Sequence, residues 1–499
     1  MTGRTLGFAI IAFLIGGAAL AFGSVEAWAE AWLRFGAVAA CAAVLFAHGP
    51  REALQGPLRW ILLVATLIVG FGALQATPLP AALVHAVSPR TARLKSDTLP
   101  VGGGAAMPSF LLGKAAAAGV KVEPQGAPPH VPADAGSRAA TSSLSIMPYA
   151  TRQACLAWLT PLLLGIATAT LARDRVVRYR LLWVVALWTG VMGAIALAEK
   201  LAGNGKLLWI RPTPTDAMPV GPFVNPNHFA AYVGLGLIVS IGLLLAILGG
   251  PEGRLSWRSA RGAIMDRSWA LPRILVLGSL VALAIAGLVL SSSRGGILGV
   301  AAGLIVLALC RRIRAVLPAL AIAVVLAALA VGFISAQGRE RQTLQGAALT
   351  ARVDDASLDL RMDMWGRAYR ILADHPVAGT GLGTFPWAYA SYDREGEWLG
   401  TLQAHNDFLQ LATETGVVGI GLLIALTAIF GWGVIAPALG RAGVTPPWTN
   451  AALVAAVFAM LVHSVIEFNF QIPAVASLFA VVAGLLVGAR EVALEADAP

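Results

Sequence analysis

Apolar runs long enough to cross a bilayer alternate along this chain with short polar turns. A helix crossing a hydrocarbon layer about 30 Å thick satisfies its own backbone hydrogen bonds and needs roughly 17 to 25 apolar residues. Runs of that kind begin near Leu6, Leu33, Trp60, Ala150, Leu181, His228, Arg273, Gly295, Ala315, Gly416, Thr449 and Pro473. They predict an all-α polytopic membrane protein of about twelve transmembrane helices with both ends on one side. The first run, after Arg4, is read as a retained helix, although Ala19-Leu20-Ala21 would serve as a cleavage site. Two segments interrupt the alternation. Residues 78–149 are rich in Pro, Gly, Ala and Ser with almost no apolar periodicity, and much of this stretch is expected to be loosely ordered. Residues 337–415 carry helix-like stretches, aromatic side chains and clustered ionisable groups, the mark of a long loop with a function. The expected organisation is helices 1–3 over residues 1–77, a low-complexity loop over 78–149, and helices 4–9 over 150–336. A large, partly helical loop follows over 337–415, then helices 10–12 and a tail over 416–499.

Composition agrees with a bilayer as solvent: 58% of the 499 residues are hydrophobic and 12% charged, against about a quarter charged in soluble domains. A net charge of +10 would suggest nucleic acid in a soluble protein. Here the excess is arginine in alternate short loops, which points to lipid headgroups and not to a nucleic-acid partner. Arg51 and Arg59, then Arg173, Arg175, Arg178 and Arg180, then Arg254, Arg258, Arg261, Arg267 and Arg273, then Arg311, Arg312 and Arg314, then Arg441 mark one side. The opposite short loops hold Arg34, Lys206, Arg211 and Arg294. The first set is expected to be cytoplasmic, with both termini. Cys41, Cys155 and Cys310 lie in apolar stretches without CxxC spacing, so no disulfide framework or zinc site is written here.

Several polar clusters fall at the expected outer surface. Leu360 to Arg370 reads as an amphipathic helix, with Met362, Trp365, Tyr369 and Leu372 on an apolar stripe and Arg361, Asp363, Arg367, Arg370 and Asp374 on a charged face. It either lies on the membrane surface or supplies arginines that clamp phosphate through paired donors. Gly379-Thr380-Gly381-Leu382-Gly383 superficially resembles a dinucleotide loop but lacks the preceding strand and the third spaced glycine, so a tight turn after His375-Pro376 is expected. In Gln403 to Gln410, Asn406 or Asp407 caps a short helix and His405 is a surface histidine, unless the group carries chemistry. Gly221 to His228 sits where a helix enters from outside, with Asn227 able to cap it. Ser291 to Gly296 is a short outer turn whose Arg294 either snorkels to headgroups or faces a buried anion. His463 to Pro473 places ionisable side chains beside hydrocarbon, where they are functional candidates or a self-satisfied pair.

The order and topological placement of these segments resemble the O-antigen ligase and Wzy-type polymerase superfamily. The resembling stretches are GPFVNPNHFA at 221–230, SSSRGG at 291–296, Arg361 through HPVAGTGLGTF ending at 385, AHNDFLQLATETG at 404–416, and 463–474, together roughly the second half of the chain. The resemblance implies a GT-C-like fold in the bacterial inner membrane and a donor glycan carried on undecaprenyl pyrophosphate. The acceptor would be a glycan or the lipid A core, with other polysaccharide-assembly proteins as possible partners and a site facing the periplasm. It implies metal-independent transfer with inversion and no cofactor. The outer loops show no compact Asp-x-Asp signature, and arginines can stabilise a departing diphosphate. On this resemblance Arg294 clamps the diphosphate, Arg211 is a second clamp, and His405 faces the acceptor hydroxyl. Asn406 or Asp407 holds its ring, Asn225 and Asn227 position sugar or headgroup, Arg361 binds substrate, and Glu467 is a reserve base.

Three rival functions are a transporter or flippase of lipid-linked sugar, a non-catalytic scaffold, and a protein O-oligosaccharyltransferase. Transporters usually carry half-repeats and polar groups near the midplane. No internal repeat is evident here, and the polar clusters gather at the outer surface.

Overall fold

The computed structural model describes residues 2–50, 55–98, 141–212, 220–249, 256–265, 269–312, 358–392, 403–439 and 447–495. The apolar run expected near Ala315 lies outside these residues, as do large parts of both long loops. In chain order the helices are α1 (Gly3–Leu20), α2 (Ala27–His48), α3 (Leu58–Gln75), α4 (Ala81–Val87), α5 (Pro89–Thr98), α6 (Pro148–Leu171), α7 (Arg175–Ala202) and α8 (Pro226–Leu248). They continue with α9 (Trp257–Met265), α10 (Ala270–Leu290), α11 (Arg294–Cys310), α12 (Leu358–Asp374), α13 (Phe385–Ser391), α14 (Asp407–Phe430), α15 (Trp448–His463) and α16 (Pro473–Glu495). Two short antiparallel hairpins pair β1 (Leu79–Pro80) with β2 (Thr141–Ser142) and β3 (Lys206–Leu207) with β4 (Arg211–Pro212). Among the described residues, eight helices are long and apolar enough to cross a membrane: α1, α2, α3, α6, α7, α8, α10 and α14, the last extended to Leu439. The apolar helices α11, α15 and α16 are shorter, and together these match the other expected runs. The protein is an all-α polytopic membrane protein.

Helix starts are set by side chains that accept the first free amides. Asp174 accepts from Val176 and Val177 to begin α7, Asn225 from Asn227 to begin α8, Ser293 from Gly296 to begin α11, and Asn406 from Leu409 to begin α14. The amide of Val177 above all holds the Asp174 carboxyl below the usual range, and Arg4, 3.1 Å away, adds to it.

The bundle is arranged around α8. In its most apolar window 72% of α8 is buried, against 22% for α10 and 11% for α14, which puts those two on the rim facing lipid. Around α8 pack α7, α10, α11 and α15; α11 lies along α15, α16 along α6, and α1 along α2. In hydrocarbon an unpaired donor is costly, and the buried aromatic donors are used to tie helices. Tyr232 Oη donates to Ile15 O and Trp188 Nε1 to Ala12 O, each at 2.8 Å, fastening α8 and α7 to α1. A methyl group on Gly287 would sit 2.9 Å from Gly193 Cα, so α10 and α7 touch backbone to backbone.

One end of the bundle carries a folded extramembrane layer. Met364, Ala368 and Ile371 of α12 pack with Phe385, Ala388 and Tyr389 of α13 and with Leu409. Val84 of α4, Leu144 and Ala378 form a second small core. The ends of the 78–149 segment are therefore ordered, contrary to the expectation of a largely loose stretch, and residues 99–140 lie outside the described residues. The helix expected from Leu360 onward is present, but its stripe is rotated. Met362 and Tyr369 are exposed, while Met364, Ala368 and Ile371 face inward with Arg361 half-buried beside them. The helix expected to start near Gly416 begins at Asp407 instead, and Gly416 breaks it with φ 62° and ψ −158°.

Candidate functional site

Helix α15 ends at His463, the chain turns through residues 464–472, and Pro473 starts α16. Within that turn Glu467 is 1% exposed, and a carboxylate so deep needs partners to stay charged. It has three, from three other segments. Arg361 Nη2 on α12 and Asn227 Nδ2 in the first turn of α8 donate to Oε1 at 2.6 and 2.8 Å. His405 Nδ1 lies 3.2 Å from Oε2. Burial pushes the Glu467 carboxyl up, but the hydrogen bond and charge of His405, with His228 and Arg361, outweigh it and hold the group at about 2. Glu467 is thus an ionised hub.

His405 sits at φ 48°, a left-handed conformation that costs a residue with a side chain on the order of 1–2 kcal/mol. Bonds on both sides impose it. Ahead, Ala404 O accepts from Trp365 Nε1 and Ala404 N donates to Gln410 Oε1, both at 3.0 Å. Behind, Asn406 caps α14, Asp407 N donates to Ser464 O and Glu467 O, and Phe470 N donates to Asp407 Oδ2. The Phe468 ring stands edge-on between the His405 and His228 rings, with centroids 4.8 and 4.5 Å away. With Nδ1 committed to Glu467, Nε2 has no partner among the described residues, and the side chain is 19% exposed. In the tautomer that donates from Nδ1, Nε2 carries the lone pair a general base needs.

The residues singled out from sequence divide into three groups. His405, Arg361, Asn227 and Glu467 meet directly. Asn225, Asn406 and Asp407 build that meeting place: Asn225 and Asn406 cap helices, and Asp407 pins the 464–470 turn, while the His405 ring is held by Glu467 and not by Asn406 or Asp407. Arg294 stands exposed at the first turn of α11 with no hydrogen bond or ion pair among the described residues. Its neighbour Gly295 touches the site, since a Cβ there would lie 3.0 Å from His463 Nε2. Arg211 is elsewhere. It pairs with Glu26 at 2.8 Å and lies over the Phe22 ring, at the α1–α2 turn, without contact to the Glu467 group.

Sequence reading did not single out His228 or His463 as site residues, both 3% exposed, nor Gln75 and Glu414. The signal for the histidines was a titratable side chain within two turns of the end of an otherwise apolar helix. The Gln75 and Glu414 pair explains the glycine-rich loop. Gly379, Gly381 and Gly383 all have positive φ, and the turn folds around Glu414, whose carboxylate accepts from Gly383 N at 2.8 Å and Phe385 N at 3.2 Å. Gln75 at the end of α3 donates to Ala378 O and Glu414 O and accepts from Leu382 N. The loop cradles the protein's own carboxylate, which accounts for its glycines without a nucleotide.

Among the described residues no three His, Cys, Asp or Glu side chains converge as metal ligands. What the site offers is a histidine oriented by an ionised carboxylate, with arginines on either flank. No curated protein matches the chain. Residues 279–424, which include Arg294, Arg361 and His405, match a family model described as O-Antigen ligase, and the chain belongs to the O-antigen ligase and Wzy-type superfamily that its ordered motifs resemble.

Proposed function

We propose that the protein is a membrane glycosyltransferase of the O-antigen ligase or polymerase type. On this reading it spans the bacterial inner membrane about twelve times in a GT-C-like fold. It takes a glycan from undecaprenyl pyrophosphate on the periplasmic face and passes it to a hydroxyl of a second glycan or of the lipid A core. The observation that carries the reading is the His405–Glu467 pair, buried on its carboxylate side and open on the Nε2 side.

In the proposed step the acceptor hydroxyl oxygen attacks the anomeric carbon from the face opposite the diphosphate. The carbon–oxygen bond to the diphosphate breaks, its electron pair leaves with the phosphate oxygen, and the sugar inverts. The hydroxyl proton passes to His405 Nε2, and Glu467, ionised throughout, stabilises the imidazolium that forms, a division of labour known from histidine–carboxylate pairs. Charge developing on the leaving diphosphate needs fixed positive charge already in place. Arg294 at the start of α11 and Arg361 beside Glu467 supply it, and the reaction needs no metal on this reading. The exposed Met362, Tyr369 and Val377 on the outer layer offer apolar surface toward the acceptor or the headgroup region.

The test is to replace Arg294 and His405 separately by alanine, verify that each variant reaches the membrane, and compare cell-surface glycans on gels with a deletion strain. Transfer should fall by about 10²-fold or more in each. Single repeat units would identify a polymerase and unattached long chains a ligase. Parental glycans from both variants would sink the transferase reading.

A further inference from the structure

The polar face of His463 is left unused by the His405–Glu467 chemistry. His463 ends α15 and is 3% exposed, and its Nε2 is buried with no hydrogen-bond partner. A buried imidazole nitrogen without a partner is an unfavourable arrangement that native structures rarely leave unexplained. The atom points at a specific place, the first turn of α11, where a Cβ on Gly295 would lie 3.0 Å from it. Helix α11 has 17 residues, and its N-terminus is incompletely capped. Ser293 Oγ takes the amide of Gly296, and Ser293 O takes that of Ile297. The amides of Arg294 and Gly295 have no acceptor among the described residues, and neither has the Arg294 guanidinium. The start of a helix carries partial positive charge and free N–H groups, and it favours an anion. Glycine at 295 and 296 keeps the space between the two helices open, because a Cβ at 296 would meet Ala230 and Ser293.

We propose that His463 is a phosphate-binding residue of the donor half of the site, its Nε2–H joining the free Arg294 and Gly295 amides and the Arg294 guanidinium in one anion cradle. The proposal rests on the glycosyltransferase reading and divides the site between two histidines. His405 with Glu467 serves the acceptor hydroxyl, and His463 with α11 serves the diphosphate. His463 takes no proton from the reacting hydroxyl; it donates a hydrogen bond to a phosphate oxygen.

The experiment uses the full-length chain in phosphatidylcholine nanodiscs and titrates inorganic pyrophosphate by calorimetry. His463→Phe keeps a ring of similar size without a donor and should weaken pyrophosphate by about tenfold or more, as for a lost hydrogen bond to a charged group. His463→Gln restores a donor near the Nε2 position and should stay within about threefold of the parent. Gly295→Ala, which fills the gap without touching the imidazole, should weaken binding as His463→Phe does, so the proposal stays testable if the phenylalanine variant fails to fold. If His463→Phe folds and binds like the parent while Arg294→Ala does not bind, the role of His463 is refuted and the diphosphate clamp stands. If the parent itself does not bind pyrophosphate, both fall. Repeating the titration with phosphatidylglycerol in the discs separates the two sources of phosphate. Unchanged affinity supports a donor site, whereas loss of binding would show a lipid-headgroup site and overturn the proposal.

Discussion

At the scale of single residues the site is organised by a carboxylate whose partners lie 62, 106 and 240 positions away in the chain. His405, Arg361, Asn227 and Glu467 were each legible as polar residues in the right topological place. That Glu467 is the hub was not, because sequence spacing carries no information about contacts so remote. Removing the acid leaves the guanidinium of Arg361 buried without its charge partner, so Glu467→Ala should lower unfolding stability by roughly 3–5 kcal/mol, measured by denaturant titration in detergent. The acid dependence has a definite sign. The carboxyl titrates at about 2 when folded, against an ordinary value of 4.5, so its stabilisation is complete above pH 4.5 and is lost as pH falls from there through 2. Glu467→Gln should flatten this acid limb. A parent and variant whose stabilities fall in parallel below pH 4.5 would refute the ion-pair hub.

At the scale of elements, periodicity located the helices better than it oriented them. Apolar length sufficed for the spans, since lipid demands it, and it also placed α12. The phase of α12 was misread because Met362 and Tyr369 are large and apolar yet exposed, while the small Ala368 is buried. The ends of the Pro/Gly/Ala/Ser-rich segment looked structureless because what orders them is polar and distant. Gln75 hooks the glycine loop, and Ser88 and Thr91 lie 3.4 and 3.0 Å from His375 Nδ1, joining the two outer segments. His375 is 3% exposed, and burial above all lowers its pKa from 6.5 to about 4, with Asp374 opposing and Arg90 assisting. The unfolded segment takes up a proton below pH 6.5 that the folded one refuses until about 4. The joint is therefore at full strength above pH 6.5 and weakens as pH falls toward 4, by up to about 3 kcal/mol. Hydrogen exchange across 84–95 and 375–380 should rise between pH 7.5 and 5 in the parent and stay level in His375→Asn. Equal pH response in both would discard this account.

At the scale of the whole molecule, alternating helices bring the starts of α8, α11, α14 and α16 and the end of α15 to one end of the bundle. Arginine counts predict which compartment that end faces. With Cys41, Cys155 and Cys310 replaced by alanine, a membrane-impermeant maleimide applied from the outer side should label Trp209→Cys on the β3–β4 turn and spare Arg261→Cys on α9, both exposed positions. The reverse pattern would invert the protein and move the site to the cytoplasm.

The position of Glu467 between α15 and α16 also fixes when the site can exist. A ribosome releases His405 and Arg361 well before the turn that charges and orients them, and Asn227 earlier still. A nascent chain halted ahead of α15 carries the acceptor-side histidine with no carboxylate behind it. Competence therefore arrives with insertion of the α15–α16 hairpin, so that unfinished chains in the membrane are inert toward the lipid-linked sugars around them.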